Sequence, residues 1–323
     1  MNNFSTNMKK IKVLLVFLYL ATYMGVNIYA SSYQRNIYRK NYIQEPVKIL
    51  YQEKVEKGEP AILVFQSKIE EGDMHVYVGN EEVKFFNLHD NKYFFFINYD
   101  ILSRKKRGNF KIQIANSKIG YRLDKNFNIY DKKVLKERIY LPKQYYDKDE
   151  KLIRRIKYLL SSYEYSKLQQ IYKQTYNKFY DGKFVLPVKG KITSLFGNVR
   201  AYNGGSFNSY HKGLDIANRK SGTPIRASNN GLVILKESFY GRGKTLVIAH
   251  GHGIKSLYFH LSGFCVNEGD IVRKGQVIGY LGTTGFSTGP HLHWEMRIYK
   301  SPVNPEYFLE TDLDKKFEKV VQN

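Results

Sequence analysis

Between residues 45 and 130 the chain alternates short apolar or aromatic runs with turn-forming clusters. The runs I-L-V-F-Q (Ile62–Gln66), H-V-Y-V (His75–Val78), K-Y-F-F-F-I-N-Y (Lys92–Tyr99) and F-K-I-Q-I (Phe110–Ile114) are separated by K-G-E-P, E-E-G-D, V-G-N-E, L-H-D-N and K-R-G-N. β-Branched and aromatic residues in such runs predict strands, and their spacing predicts a small β-sandwich over 45–130. The aromatic run Tyr93–Phe96 reads as core, and His75 and His89, without ligand-spaced neighbours, read as ordinary strand or loop histidines.

The period then changes. Leu152, Ile156, Leu159, Leu160, Tyr163, Leu168 and Tyr172 fall on a helical stripe, and no proline lies between Lys143 and Pro187. This predicts one or two helices within a linker over 131–183. A segment that occludes a cleft is the functional alternative. From Phe184 onward glycines recur, with strand-like pieces such as L-V-I-L, T-L-V-I-A and Q-V-I-G-Y-L between them. That pattern predicts antiparallel β-structure with tight turns over 184–310, followed by a charged tail over 311–323. The fold class is therefore mainly β: a C-terminal antiparallel domain preceded by a small sandwich and a helical linker.

The first thirty residues have another character. Lys9, Lys10 and Lys12 precede an apolar run from Val13 to about Ile28, and Ala30 offers a small residue for cleavage. Residues 1–30 are expected to be an export signal or, uncleaved, an N-terminal anchor with residues 13–29 as a membrane tether. Either places the rest of the protein outside the cytoplasm, in the periplasm or cell envelope. No cysteine near the N-terminus is available to carry a lipid. The single cysteine, Cys265, excludes an intramolecular disulfide and a cysteine-based zinc site. It is expected to be a small buried residue.

At 323 residues the chain is too long for one typical domain, and 42% hydrophobic content is ample for cores. The net charge of +23 is scattered and mostly lysine. No nucleic-acid-binding module accompanies it, so the charge implies compositional bias with weak attraction to an anionic wall, and no nucleic acid partner.

Chemistry concentrates in three segments: Y-H-K-G-L-D-I (Tyr210–Ile216), L-Y-F-H-L (Leu257–Leu261) and G-P-H-L-H-W-E-M-R (Gly289–Arg297). They offer His211, Asp215, His260, His291 and His293. A zinc site with one open position needs about three such N/O ligands, which leaves two imidazoles for proton work. In a strand His291 and His293 point to one face, roughly 7 Å apart, so one can ligate while the other flanks. His211 and Asp215 would lie about 13 Å apart in a regular strand. Sharing an ion requires a bend, which Gly213 is placed to permit. No H-E-x-x-H helix supplies a glutamate base, so the base would be imidazole.

These segments stand within eight ordered blocks, from P-V-K-G-K-I-T-S-L-F-G-N-V-R (Pro187–Arg200) through H-K-G-L-D-I-A, G-T-P-I-R-A, N-G-L-V, G-R-G-K-T-L-V-I-A-H, L-Y-F-H-L and G-D-I-V-R-K-G-Q-V-I-G to T-G-F-S-T-G-P-H-L-H-W-E-M-R (Thr284–Arg297). Over about Phe184 to Leu309 the chain resembles the lysostaphin-type (LytM-like) zinc metallopeptidases, which include many cell-wall endopeptidases. The resemblance implies that His211, Asp215 and His293 hold Zn2+, that His260 and His291 are catalytic, and that the substrate is a peptide cross-link or stem peptide of peptidoglycan. None of the five positions departs from the family pattern. Trp294 stands where another aromatic residue is common. The expected function is a zinc endopeptidase of cell-wall remodelling. The alternative is a silent relative that binds peptidoglycan or activates another hydrolase. A lipoyl- or biotin-carrier reading of the G-D-I-V-R-K-G-Q-V-I-G hairpin leaves the histidines unexplained.

His250 and His252 in H-G-H-G are read as a turn beside a strand. Arg200 and Tyr202 are read as substrate contacts or surface residues, and Ser287 and Thr288 as a turn, since no base-and-orienter pair makes either a nucleophile. Oligomeric state is left open by the sequence.

Overall fold

The computed structural model describes residues 47–69, 74–116, 119–140, 151–218 and 220–322. The expected signal or anchor over 1–30 lies outside them. Among the described residues no helix is long and apolar enough to cross a membrane.

The N-terminal domain is built from two sheets. Strands β1 (Val47–Gln52), β2 (Val55–Glu56), β3 (Ala61–Ser67), β4 (Met74–Val78), β5 (Glu81–Val83), β6 (Phe86–His89), β7 (Lys92–Ile97), β8 (Arg107–Asn116) and β9 (Ile119–Tyr130) pair as β1-β3-β7-β6 and β2-β9-β8-β4-β5. The sheets meet through Phe95 on β7 and Phe110 on β8, with ring centroids 5.9 Å apart. On β3 and β7 every residue from Ala61 to Phe65 and from Tyr93 to Ile97 is buried. Strands of continuous apolar residues are buried on both faces. Here Phe95 faces the other sheet, while Ile62, Val64, Phe94 and Phe96 join the core of the following domain.

The segment between the domains is not a plain helical spacer. It contains β10 (Lys136–Ile139) and one helix, α1 (Lys151–Lys173). The C-terminal domain adds β11 (Lys191–Ser194), β12 (Val199–Tyr202), β13 (Ser209–Tyr210), β14 (Leu214–Ala217), β15 (Pro224–Arg226), β16 (Gly231–Phe239), β17 (Gly243–Gly251), β18 (Ile254–Leu261), β19 (Gly263–Phe264), β20 (Ile271–Val272), β21 (Val277–Tyr280), β22 (Leu292–Ile298) and β23 (Ser301–Val303). Its main sheet runs β11-β14-β22-β18-β17-β16-β20, with β23 on β22, and two three-stranded sheets, β10-β12-β13 and β15-β21-β19, flank it. β10 thus joins the C-terminal domain, parallel to β12.

One face of the main sheet packs Leu214, Ile216, Leu246, Ile248, Tyr258, Leu292, Trp294 and Met296 into the shared core. The other face packs Leu235, Val247, Leu257 and Phe259 against Leu168, Ile171 and Tyr172 of α1. The expected tail is instead helical: after α2 (Pro305–Glu310), residues Leu313–Gln322 form α3, with Leu313 and Phe317 buried and the Phe317 ring centroid 4.3 Å from that of Phe94, the planes tilted by 38°. Its charges occupy the outer side of an amphipathic helix. Cys265 also departs from expectation. It follows β19 on the edge of a small sheet and is exposed, while the next residue, Val266, turns inward.

Candidate metal centre

Adjacent antiparallel strands assemble the centre. β14 pairs with β22 so that Asp215 stands opposite His293, and β22 pairs with β18 so that His293 stands opposite Phe259. Directly opposed residues project to the same face. His211, between β13 and β14, closes the group. His211 Nε2 lies 2.9 Å from His293 Nδ1 and 3.0 Å from Asp215 Oδ1, and His293 Nδ1 lies 2.8 Å from Asp215 Oδ1.

Gly213 makes this approach possible, though not by bending through a left-handed conformation. A Cβ there would sit 2.3 Å from the carbonyl oxygen of Trp294. The glycine lets β14 lie against β22 closely enough for side chains of the two strands to converge.

The donor chemistry tests whether the group fits a cation. His211 Nδ1 lies 2.9 Å from the Leu195 carbonyl, which only accepts, so the proton is on Nδ1 and Nε2 carries a lone pair. His293 Nε2 faces the buried carboxylate of Glu295 at 3.3 Å, and with the proton on that nitrogen Nδ1 offers a lone pair. Asp215 Oδ1 is the third acceptor. In these tautomers three electron pairs, mutually about 3 Å apart by the distances above, converge on one space. A cation is what such a set accommodates, and two imidazoles with one carboxylate suit zinc.

The other two histidines stand beside this trio. The Nδ1–H of His260 donates to Thr284 O (2.7 Å), and that of His291 donates to Gly289 O (2.8 Å), with Ser287 Oγ 3.2 Å away. In the neutral form of either ring these contacts leave the lone pair on Nε2. Their centroids are 4.9 Å apart, and His291 Nε2 is 3.8 Å from Asp215 Oδ1. Burial first, and then the neighbouring histidines, push the pKa of His260 down to about 3. Its backbone sits at φ 62°, a left-handed conformation that costs a non-glycine residue of order 1 kcal/mol and concentrates at functional sites.

Sequence reasoning missed three contributors. Arg200 is neither a free surface residue nor an open substrate contact: its guanidinium donates to Asp215 Oδ2 at 3.1 Å and to Glu137 Oε2 at 3.0 Å. Glu137, from β10, also accepts from Ser194 Oγ and Asn198 Nδ2. Burial would raise the Glu137 pKa, but these three partners bring it down. Only the pairing of β10 with β12, invisible as a local pattern, carries Glu137 here. Glu295 was legible in principle, because period two along β22 places it on the His293 face of an otherwise apolar strand. His250 and His252 stay outside the centre. His250 is buried between Asn230 O and Ser256 Oγ, and His252 packs on Phe86 and Tyr180. His75 pairs with Glu82 on the N-terminal domain.

Residues 209–305 match the family model described as Peptidase family M23. Among curated proteins, the DD-carboxypeptidase/endopeptidase Mpg of Neisseria meningitidis is 50% identical over 95 residues, which is 29% of this chain and 22% of the relative. Peptidoglycan DD-endopeptidase ShyA of Vibrio cholerae is 36% identical over 122 residues, 38% of this chain and 28% of the relative. The matched segments thus span about a quarter of those relatives' lengths. A crystal structure of a putative peptidase M23 from Pseudomonas aeruginosa shares the fold with a TM-score of 0.56, at 24% identity, over 80% of this chain and 96% of that one.

Proposed function

We propose that this chain, whose residues 209–305 form a Peptidase family M23 domain, is an exported zinc endopeptidase that hydrolyses peptide cross-links or stem peptides of bacterial peptidoglycan. The observation that carries the reading is the convergence of three lone pairs, from His211, Asp215 and His293, beside two histidines whose free Nε2 atoms border the same space. A zinc ion held by those three residues supplies a Lewis acid and lowers the pKa of water toward about 7.

The chain's own residues supply the rest. His260, with its ring fixed by Thr284 O, presents Nε2 as a proton acceptor. His291, fixed by Gly289 O, presents a second Nε2 that can take up a proton and return it to a leaving amine. Arg200 holds the second oxygen of Asp215, so that Oδ1 stays turned toward the histidines. The names of the matched relatives favour a peptidoglycan peptide as substrate, and the complete set of five residues favours an enzyme over a silent binder.

The test is mass spectrometry of muropeptides released from purified sacculi by the zinc-loaded protein, with and without chelator. New peptide fragments that disappear on chelation and in His293→Ala support the reading. Intact muropeptides from a folded, zinc-loaded protein overturn it.

A further inference from the structure

β22 continues beyond His293 with two more charged residues on the same face, Glu295 and Arg297, and both are buried. They form a chain leading away from the metal centre. Glu295 Oε1 faces His293 Nε2 at 3.3 Å, and its other oxygen accepts from Arg297 Nε at 2.8 Å. The Arg297 guanidinium lies 4.1 Å from the centroid of the Tyr172 ring, which belongs to α1.

A second chain starts two turns earlier on the same helix. Glu164, buried despite its charge, accepts from Gly241 N and pairs with Arg242. Arg242 lies 5.3 Å from the centroid of Phe259, and Phe259 stacks on the His293 ring at 5.3 Å with 9° between planes. The Arg242 carbonyl also accepts from the backbone N–H of His260. Glu164, Leu168, Ile171 and Tyr172 share one helix face at i, i+4, i+7 and i+8. The end of that helix is itself fixed, because the buried Lys255 ammonium donates to Gln174 O at 2.7 Å and approaches Tyr172 O at 3.3 Å.

Both chains end on one ring. We propose that α1 is a structural part of the metal centre, and that Tyr172, Arg297 and Glu295 are positioning residues that hold His293 with Nδ1 turned toward the ion. The inference rests on the metal-site reading above and extends it to a helix that lies outside the family match at 209–305. A carboxylate behind a ligating histidine fixes its tautomer and raises its basicity. The cation over Tyr172 in turn fixes that carboxylate. Among the described residues the Tyr172 hydroxyl has no hydrogen-bond partner, so the ring carries this contact.

The experiment titrates the full chain with Co2+ alone, following its visible absorption, and competes bound Zn2+ with a chromogenic chelator. Neither readout requires substrate. Glu295→Gln should lose about tenfold or more in affinity. Tyr172→Leu should lose about threefold or more, the lower end of what a cation–π contact is worth, and change the Co2+ spectrum. Tyr172→Phe should restore the wild-type value. Leu168→Ala, on the same face but off both chains, should lower the melting temperature and leave affinity unchanged. A folded Tyr172→Leu protein with wild-type affinity and spectrum overturns the proposal, as does an equal loss in Leu168→Ala. Failure of the wild type to bind Co2+ or Zn2+ would sink the metal assignment itself, whereas wild-type binding without cleavage of sacculi would remove only the peptidase reading.

Discussion

Gly213→Ala is the smallest change that tests how the centre is assembled. The added methyl would stand 2.3 Å from Trp294 O and 2.8 Å from its carbonyl carbon, where ordinary contact begins near 3.4 Å. Both obstructing atoms are backbone of the neighbouring strand, so no rotamer change relieves the overlap. β14 must retreat from β22 by about 1 Å to bring the 2.3 Å approach out to ordinary contact near 3.4 Å. The proposed ligands are split across that boundary, with Asp215 on β14, His293 on β22, and only 2.8 Å between their donor atoms. A displacement of about 1 Å is a third of that spacing, and misplacement on this scale costs about 100-fold in turnover. The overpacking itself costs about 1–3 kcal/mol of stability. Co2+ titration, thermal unfolding and muropeptide release measure the three effects. Gly263→Ala is the control, since its methyl meets only the Tyr280 ring at 3.7 Å. A Gly213→Ala protein that melts and binds Co2+ like the wild type would refute the close-approach argument.

Three further outcomes are expected. Asp215→Ala and His293→Ala should each lose bound metal and activity together, whereas His291→Ala should keep metal and lose turnover; zinc content after dialysis, set beside muropeptide release, separates the cases. Burial holds His250 neutral in the folded state and lowers its pKa to about 4, so between about pH 6.5 and 4 the unfolded chain binds a proton that the native chain does not. Stability from this group is therefore complete above about pH 6.5 and falls by about 3 kcal/mol as pH drops through the folded pKa. Denaturant midpoints at pH 7.5 and 4.5 should show that loss, and a His250→Gln protein with the same pH slope would contradict it. Phe317→Ala should destabilise by about 3–5 kcal/mol, because its ring fills the core against Phe94; a melting curve like that of the wild type would show that residues 313–322 are a dispensable tail after all.

Much of the molecule was legible in local pattern. Runs such as Ala61–Phe65 and Tyr93–Ile97 announce strands because a segment buried on both faces has no room for polar residues. The alternation of Leu292–Ile298 announces a strand with histidine, glutamate and arginine on one face. The stripe from Leu168 to Tyr172 announces a helix with one buried side. The five candidate site residues stood out because imidazole and carboxylate groups bind metals and move protons, and here they cluster in short glycine-flanked segments.

What the chain pattern left out is what depends on partners distant in sequence. Cys265 looks apolar, but only its place on the edge of a small sheet decides that it faces solvent. Residues 311–323 read as charged because charge is local, whereas the aromatic surface that Phe317 covers comes from β7, more than two hundred residues earlier. Glu137 reaches Arg200 and Ser194 only because β10 adds to β12, and Tyr172 reaches Arg297 only because α1 crosses the sheet behind the ligands. Composition and periodicity thus determined which residues could do chemistry and which elements would carry them. The tertiary structure decided which atoms meet, because ion pairing and metal coordination fall off over a few ångströms and the distances between strands and helices are set by packing across the whole chain.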